Sequence, residues 1–232
     1  RVAAAADLRF AFEDLAAEFH RRRADVTVQV TYGSSGQLFA QLSNKAPFDM
    51  FLSADAAYPR QLVEAGRASK ETQFRYGTGR LVVWTPDGSA LDLNKLGLSA
   101  LLDPSVRRIA IANPAHAPYG RAAESALKTL GVYDKVADKL VLGESVAQAA
   151  QFVQSGSADV GIIALSLAVA TDLRSSGRFW EIPAAAYPPM VQEGVILSWC
   201  QDEDAADALR LFITSADGKA ILAQYGFSTP GE

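Results

Sequence analysis

Two hydrophobic rhythms take turns along this chain. Short runs of aliphatic and β-branched residues, the mark of strands, give way to stretches with apolar positions three and four apart, the mark of helices. The first run is residues 2–6. Leu8, Phe12, Leu15 and Phe19 then share a helical face, and that helix is expected to end in His20, Arg21, Arg22 and Arg23, a basic run that complements a helix C-terminus. Residues 26–30 alternate as a strand, Leu38, Phe39 and Leu42 open a helix, 49–53 reads as a strand, and a helix over 57–65 stops at Gly66. A strand at 80–85 closes in the turn signal Pro86-Asp87-Gly88. The plan then repeats, with strands at 108–112, 139–142 and 159–164 followed by helices at 119–130, 146–153 and 165–173. A strand at 195–199 precedes two closing helices, carried by Ala205, Leu209, Phe212 and Ile213 and then by Ile221 and Tyr225.

Such alternation predicts an α/β fold with mainly parallel sheets flanked by helices. The strand stretches near 80–86 and 190–197 are candidates for crossing between two lobes. The first lobe would hold residues 1–82 plus 194–232 and the second 83–193, a hinged clamp with its ligand in the cleft between lobes. A single doubly wound domain with a long insertion is the alternative.

Four strand-to-helix junctions are small, polar or glycine-rich. They are Ala6-Asp7-Leu8, Gly33-Ser34-Ser35-Gly36, Ala117-Pro118-Tyr119-Gly120 and Glu144-Ser145-Val146. A helix start leaves backbone N–H groups unpaired and carries a partial positive charge, so it suits an anion. Every α/β protein has several such junctions, but two in each half of the chain suggest lobes aimed at a shared anion. Ser34 and Ser35 either cap their helix or donate to an oxyanion, and the flanking glycines let a ligand approach the backbone. Tyr119 offers a hydroxyl in the first turn of its helix. Val146 has only its N–H to give. Donors alone suit a fully ionised tetrahedral oxyanion.

Composition narrows the partners. At 232 residues, 49% hydrophobic, 21% charged and with a net charge of −4, the chain has ample core and no basic surplus for nucleic acid. No apolar run approaches the ~20 residues of a membrane span. Cys200 is the one cysteine, which rules out an internal disulfide and a cysteine-based metal cluster, and its strand-like surroundings read as those of a buried structural thiol. No leader is visible at the start of the chain.

Signals of catalysis are thin. His20 sits beside three arginines and His116 in the loop 114–118, neither at metal-pair spacing nor beside a carboxylate in the sequence. Gly33-Ser34-Ser35-Gly36 lacks the spacing of a nucleophile elbow, and Gly77-Thr78-Gly79 lacks the third glycine of a dinucleotide loop. An enzyme acting on a phosphorylated small molecule remains the weaker alternative, without a cofactor or a metal site of its own.

Several stretches resemble the periplasmic molybdate-binding proteins of ABC importers, which are type II (two-lobed, hinged) solute-binding proteins. The carriers are Ala3-Ala4-Ala5-Ala6-Asp7-Leu8, Tyr32-Gly33-Ser34-Ser35-Gly36, and Ala46-Pro47-Phe48-Asp49-Met50-Phe51-Leu52-Ser53-Ala54-Asp55. Asn113-Pro114 through Pro118-Tyr119-Gly120 and Tyr225-Gly226-Phe227 complete them. The resemblance covers nearly the whole chain. It implies a two-lobed fold joined by two crossing strands, a molybdate or tungstate ligand, a membrane permease as partner and a monomer. It also implies a periplasmic or lipid-anchored extracytoplasmic location. Carried over by position, it implies an oxyanion site of Ser35, Ser34, Tyr119, Val146, Asp7 and Ala6, with metal entering only as the oxyanion. Ala164 stands where some members place a binding tyrosine.

Asp7 departs from the family pattern, which has serine or asparagine there. A carboxylate 4 Å from one negative charge is repelled by roughly 4 kcal/mol at an effective dielectric near 20. Asp7 either caps its own helix with the carboxylate turned away, or is protonated, or accepts a hydrogen bond from a ligand that carries a proton, such as hydrogen phosphate or hydrogen arsenate. Capping fits the local sequence best, since aspartate is a preferred N-cap.

Overall fold

A computed structural model describes residues 1–228, so the end of the expected first lobe, 229–232, lies outside the described residues. The described strands are β1 (Val2–Ala5), β2 (Val30–Gly33), β3 (Met50–Ser53), β4 (Phe74–Gly79), β5 (Leu81–Pro86), β6 (Ile109–Ala112), β7 (Leu140–Gly143), β8 (Val160–Ala164), β9 (Gly177–Glu181) and β10 (Met190–Ile196). They form two five-stranded sheets, one in each of two compact units. The first unit is Arg1–Gly79 plus the chain from Met190, and the second is Arg80–Pro189. Residues 80–82 thus belong to the second unit and 190–193 to the first, a few residues from the boundaries that the strand pattern suggests.

In the first unit the order is β2-β1-β3-β10-β4. β1 runs parallel to both β2 and β3, whereas β10 is antiparallel to β3 and to β4. The helix Arg9–Arg22 carries the chain from β1 to β2 on one side, and Ser35–Ser43 carries it from β2 across to β3 on the other. With crossovers of one hand, those helices must cover opposite faces. Alternation along the strands follows. Met50 and Leu52 pack with Phe12, Leu15 and Phe19, while Phe51 packs with Leu38 and Leu42. β1 is buried on both faces, as a central parallel strand must be.

The second unit repeats the plan in the order β7-β6-β8-β5-β9. β6 is parallel to β7 and β8, and β5 runs antiparallel to β8 and β9. Each sheet is therefore mixed, with one reversed strand, where the alternation pattern suggests mainly parallel pairing. That reversed strand is where the chain enters or leaves the unit.

Four local expectations are corrected. The strand expected at 26–30 lies at Val30–Gly33, because pairing with Val2–Ala5 fixes the register. β4 and β9 have no counterpart in the sequence reading, since glycines and charges dilute both. The helix expected over 165–173 breaks into Leu165–Ala168 and Thr171–Arg174, with Ala170 extended between them. Cys200 is half-buried beyond the end of β10 rather than within a strand. The basic run at the end of the first helix is absorbed by acids, as expected of a helix terminus. Arg21 and Arg22 pair with Glu18, Arg22 also with Asp217, and Arg23 with Asp25.

Candidate functional site

In open α/β sheets, ligands bind beyond the carboxyl ends of the strands where the strand order reverses. β1 and β6 are those points, each flanked by the strands that follow it in sequence. At or just beyond the carboxyl ends of β1, β2 and β3 stand Asp7, Ser34, Ser35 and Ser53; at or beyond those of β6, β7 and β8 stand Tyr119, Val146 and Ala164.

In the first unit, Ala5 of β1 lies opposite Gly33 of β2, which brings the segment Ala6-Asp7 alongside Ser34-Ser35. All four residues are buried. Ser34 is the N-cap of Ser35–Ser43, yet its hydroxyl makes no capping bond to that helix. Routine capping therefore does not account for it. The first helical bond of this turn runs from the Leu38 N–H to the Ser34 carbonyl, so the amides of Ser35 and Gly36 have no acceptor within the helix. Ser35 Oγ accepts the Ala54 N–H at 3.0 Å, in a fully buried bond. That bond uses one of the hydroxyl's two acceptor lone pairs and leaves its O–H as a donor. Ala54 is held by its neighbours: Ser53 Oγ donates to the Asp55 carbonyl and accepts the Asp55 N–H, and Tyr76 donates to the Ser53 carbonyl at 2.9 Å. The Ser53-Ala54-Asp55 part of the family-like stretch thus serves to set the Ser35 hydroxyl.

Asp7 is not an N-cap. It lies inside the short 3-10 turn Ala6–Leu8, where Ala5 is the N-cap, and Leu8 is the N-cap of the next helix. Its carboxylate instead accepts the Gln192 amide, Nε2 to Oδ2, at 2.6 Å. Only 1% of Asp7 is exposed, and Gln192 is fully buried. The capping expectation is overturned, because a 3-10 turn starting at Ala6 has Ala5 as its N-cap and leaves Asp7 two positions too late to cap it. Tyr76 is close enough that the Asp7 charge, after burial itself, helps push its phenol well above the ordinary value. Gln192 and Tyr76 are residues that the sequence reading missed. A lone amide within the apolar run 190–197 was the available signal, since a buried polar side chain on a central strand needs a partner.

In the second unit, Pro118 starts the helix Pro118–Thr129 and Tyr119 follows, buried, in its first turn. Gly120 permits that start: a Cβ there would stand 2.2 Å from the Ala112 carbonyl oxygen at the end of β6. The helix Val146–Gln154 begins with a reciprocal cap. Ser145 Oγ accepts the Gln148 N–H at 3.3 Å, and Gln148 Oε1 accepts the Glu144 N–H at 2.6 Å. Ser145 thereby serves Gln148, and Val146, the first helical residue, keeps an amide that no helical carbonyl can reach. Val146 occupies after β7 the position that Ser35 occupies after β2. Ala164 ends β8, buried, and supplies no polar side-chain group.

His116 has a carboxylate partner after all: its Nε2 lies 3.3 Å from Glu144 Oε2, joining the loop before Pro118 to the loop before Val146. Those segments are distant in sequence and meet only through the β6–β7 pairing. No cluster of histidine, cysteine or acidic residues among the described residues is arranged to hold a metal ion. No helix among them is long and apolar enough to cross a membrane.

Comparison with known proteins bears on what the two donor sets serve. Residues 1–228 match the family model described as bacterial extracellular solute-binding protein. The molybdate-binding protein ModA of Rhodobacter capsulatus is 37% identical over 88% of this chain and 78% of its own length. The solved periplasmic molybdate-binding protein of Azotobacter vinelandii superposes with a TM-score of 0.92 at 32% identity, over 99% of this chain and 98% of that one. A Bacillus subtilis protein described as a putative ABC transporter substrate-binding lipoprotein is 26% identical over 98% of this chain and 85% of its own.

Proposed function

Because this chain belongs to the bacterial extracellular solute-binding protein family, we propose that it captures a tetrahedral oxyanion, molybdate or tungstate, and delivers it to the membrane permease of an ABC importer. The family is one of binding proteins rather than enzymes. In this reading the protein works as a monomer outside the cytoplasm, and the donors of both units serve one anion. The Ser35 hydroxyl, the amides of Ser35 and Val146 and the Tyr119 hydroxyl supply hydrogen bonds, with Ser34 and Ala6 beside them. One observation carries the reading. Ser35 Oγ, buried at a helix start, accepts the Ala54 N–H, which holds the hydroxyl in place and leaves its O–H to donate to an acceptor-only ligand.

A second reading rests on Asp7. Its buried carboxylate is an acceptor, and a ligand that carries a proton, hydrogen phosphate or hydrogen arsenate, could donate a hydrogen bond to it. Thermal unfolding with molybdate, tungstate, sulfate, phosphate and arsenate separates the two. A ligand at ~100 times its dissociation constant stabilises the fold by about 2.7 kcal/mol. Stabilisation by molybdate and tungstate with little from phosphate supports the first reading; stabilisation confined to phosphate and arsenate replaces it with the second.

A further inference from the structure

Ser35 stands at one end of a chain of hydrogen bonds that runs through a single peptide group. The Ser53 carbonyl and the Ala54 N–H belong to the same planar unit and point in opposite directions. Tyr76 donates its hydroxyl proton to that carbonyl at 2.9 Å, and the N–H on the other side donates to Ser35 Oγ at 3.0 Å. Tyr76, Ser53, Ala54 and Ser35 are all buried. Burial holds the Tyr76 phenol well above its ordinary value, so the hydroxyl keeps the proton that it donates. Ser53 closes the turn with its own side chain, donating to the Asp55 carbonyl and accepting the Asp55 N–H. The course of β4 suits the same purpose. Arg75 and Gly77 pair with Glu193 and Gln192, which are consecutive on β10, so Tyr76 is one residue extra, the mark of a β-bulge. Bulges recur beside functional sites because they re-aim a side chain.

We propose that Tyr76 is a positioning residue of the oxyanion site, acting on the anion through the Ser53–Ala54 peptide and the Ser35 hydroxyl. Its bond fixes the peptide plane, the plane aims the Ala54 N–H, and that N–H fixes the Ser35 oxygen. The donors all run one way, from Tyr76 to the peptide, from the peptide to Ser35 and from Ser35 to the anion. Each bond therefore polarises the next, an effect that a low local dielectric enlarges. This inference rests on the oxyanion reading given above and adds to it a residue from a strand that carries none of the proposed donors.

The test is a double-mutant cycle read by calorimetric titration with molybdate. Tyr76→Phe deletes only the hydroxyl and keeps the ring, whose centroid lies 6.3 Å from that of Phe74. It should weaken binding by about three- to tenfold. In a Ser35→Ala background the same change should add less than about twofold, because the relay no longer reaches the anion. In a Val146→Pro background, where the loss falls in the other unit, its full effect should remain. A loss of packing alone would lower affinity by the same factor in all three backgrounds. A second measurement needs no substitution. When its proton engages the anion, the Ser35 oxygen becomes a better acceptor, so molybdate should shift the Ala54 amide proton downfield in the NMR spectrum. If Tyr76→Phe binds as well as the unaltered protein, or loses the same factor with and without the Ser35 hydroxyl, the inference is overturned and the oxyanion reading stays intact. An Ala54 resonance that bound molybdate leaves in place has the same consequence. Failure of the unaltered protein to bind any tetrahedral oxyanion overturns the oxyanion reading and this inference together.

Discussion

A serine hydroxyl both gives and takes hydrogen bonds, and an oxyanion site wants only the giving half. At Ser35 one of the two accepting lone pairs is occupied by the Ala54 N–H, and the O–H is the half proposed to face the anion. Ser35→Ala should weaken molybdate binding by about 1.5–3 kcal/mol, the scale of a hydrogen bond to a charged group, as read by calorimetry. Tyr119→Phe, which deletes one hydroxyl and keeps the buried ring, should lose a comparable or smaller amount. Val146 calls for a different substitution, because its contribution is a main-chain amide. Val146→Ala should bind nearly as well as the original. Val146→Pro removes the amide at a position where proline is favoured, the first residue of a helix, and Ser145 before it is already extended at φ −146° and ψ 167°. Its expected signature is a loss of about 1.5–3 kcal/mol in binding with thermal stability little changed. At this scale the sequence showed where the proposed donors stand along the chain but not what holds them. Ser35, Tyr119 and Val146 stand at helix starts that local patterns reveal. Gln192 reaches Asp7 across 185 residues of chain, and only the pairing of β10 between β3 and β4 makes that contact.

Helix starts are the working elements of the proposed site, and their placement depends on how closely each helix can approach its sheet. Gly120 shows the tolerance. A methyl group there would stand 2.2 Å from the Ala112 oxygen and 2.8 Å from two carbonyl carbons, all of them backbone atoms that cannot step aside. Gly120→Ala should therefore cost about 1–3 kcal/mol or more in denaturant unfolding, and should weaken binding by displacing Tyr119. Gly88→Ala is the control, since nothing lies within 4 Å of its added carbon, and it should stay within about 0.5 kcal/mol. Strands with continuous apolar runs, such as β6 and β8, were legible because burial on both faces writes itself into the sequence. β4 was not, because its Gly77-Thr78-Gly79 end looks like a turn. Its extended form is imposed by pairing with β10, where Gly77 faces Gln192 beside a register shift.

For the molecule as a whole, buried tyrosines set an alkaline limit. Burial pushes Tyr76 well above its ordinary value of 10.0, with the Asp7 charge adding to it, and pushes Tyr32 to about 12. Burial and the bond to Asp14 together bring Tyr225 to about 12. The sign follows from linkage: a phenol that resists ionisation when folded contributes stability below its unfolded pKa, near 10, and that contribution is lost as pH rises through the folded value. Urea midpoints measured from about pH 8 to 11 should hold steady and then fall above about pH 10. Tyr76→Phe should blunt the fall, at the cost of its bond to the Ser53 carbonyl.

The proposal that the Ser35 hydroxyl and the Val146 amide bind the same molybdate is the one on which the rest depends, and the stoichiometry of molybdate binding tests it most directly. Calorimetric titration of the unaltered protein should give one molybdate per chain, and Ser35→Ala in the first unit and Val146→Pro in the second should each weaken that same event. Two molybdates per chain, or one variant leaving binding untouched while the other abolishes it, would contradict the account.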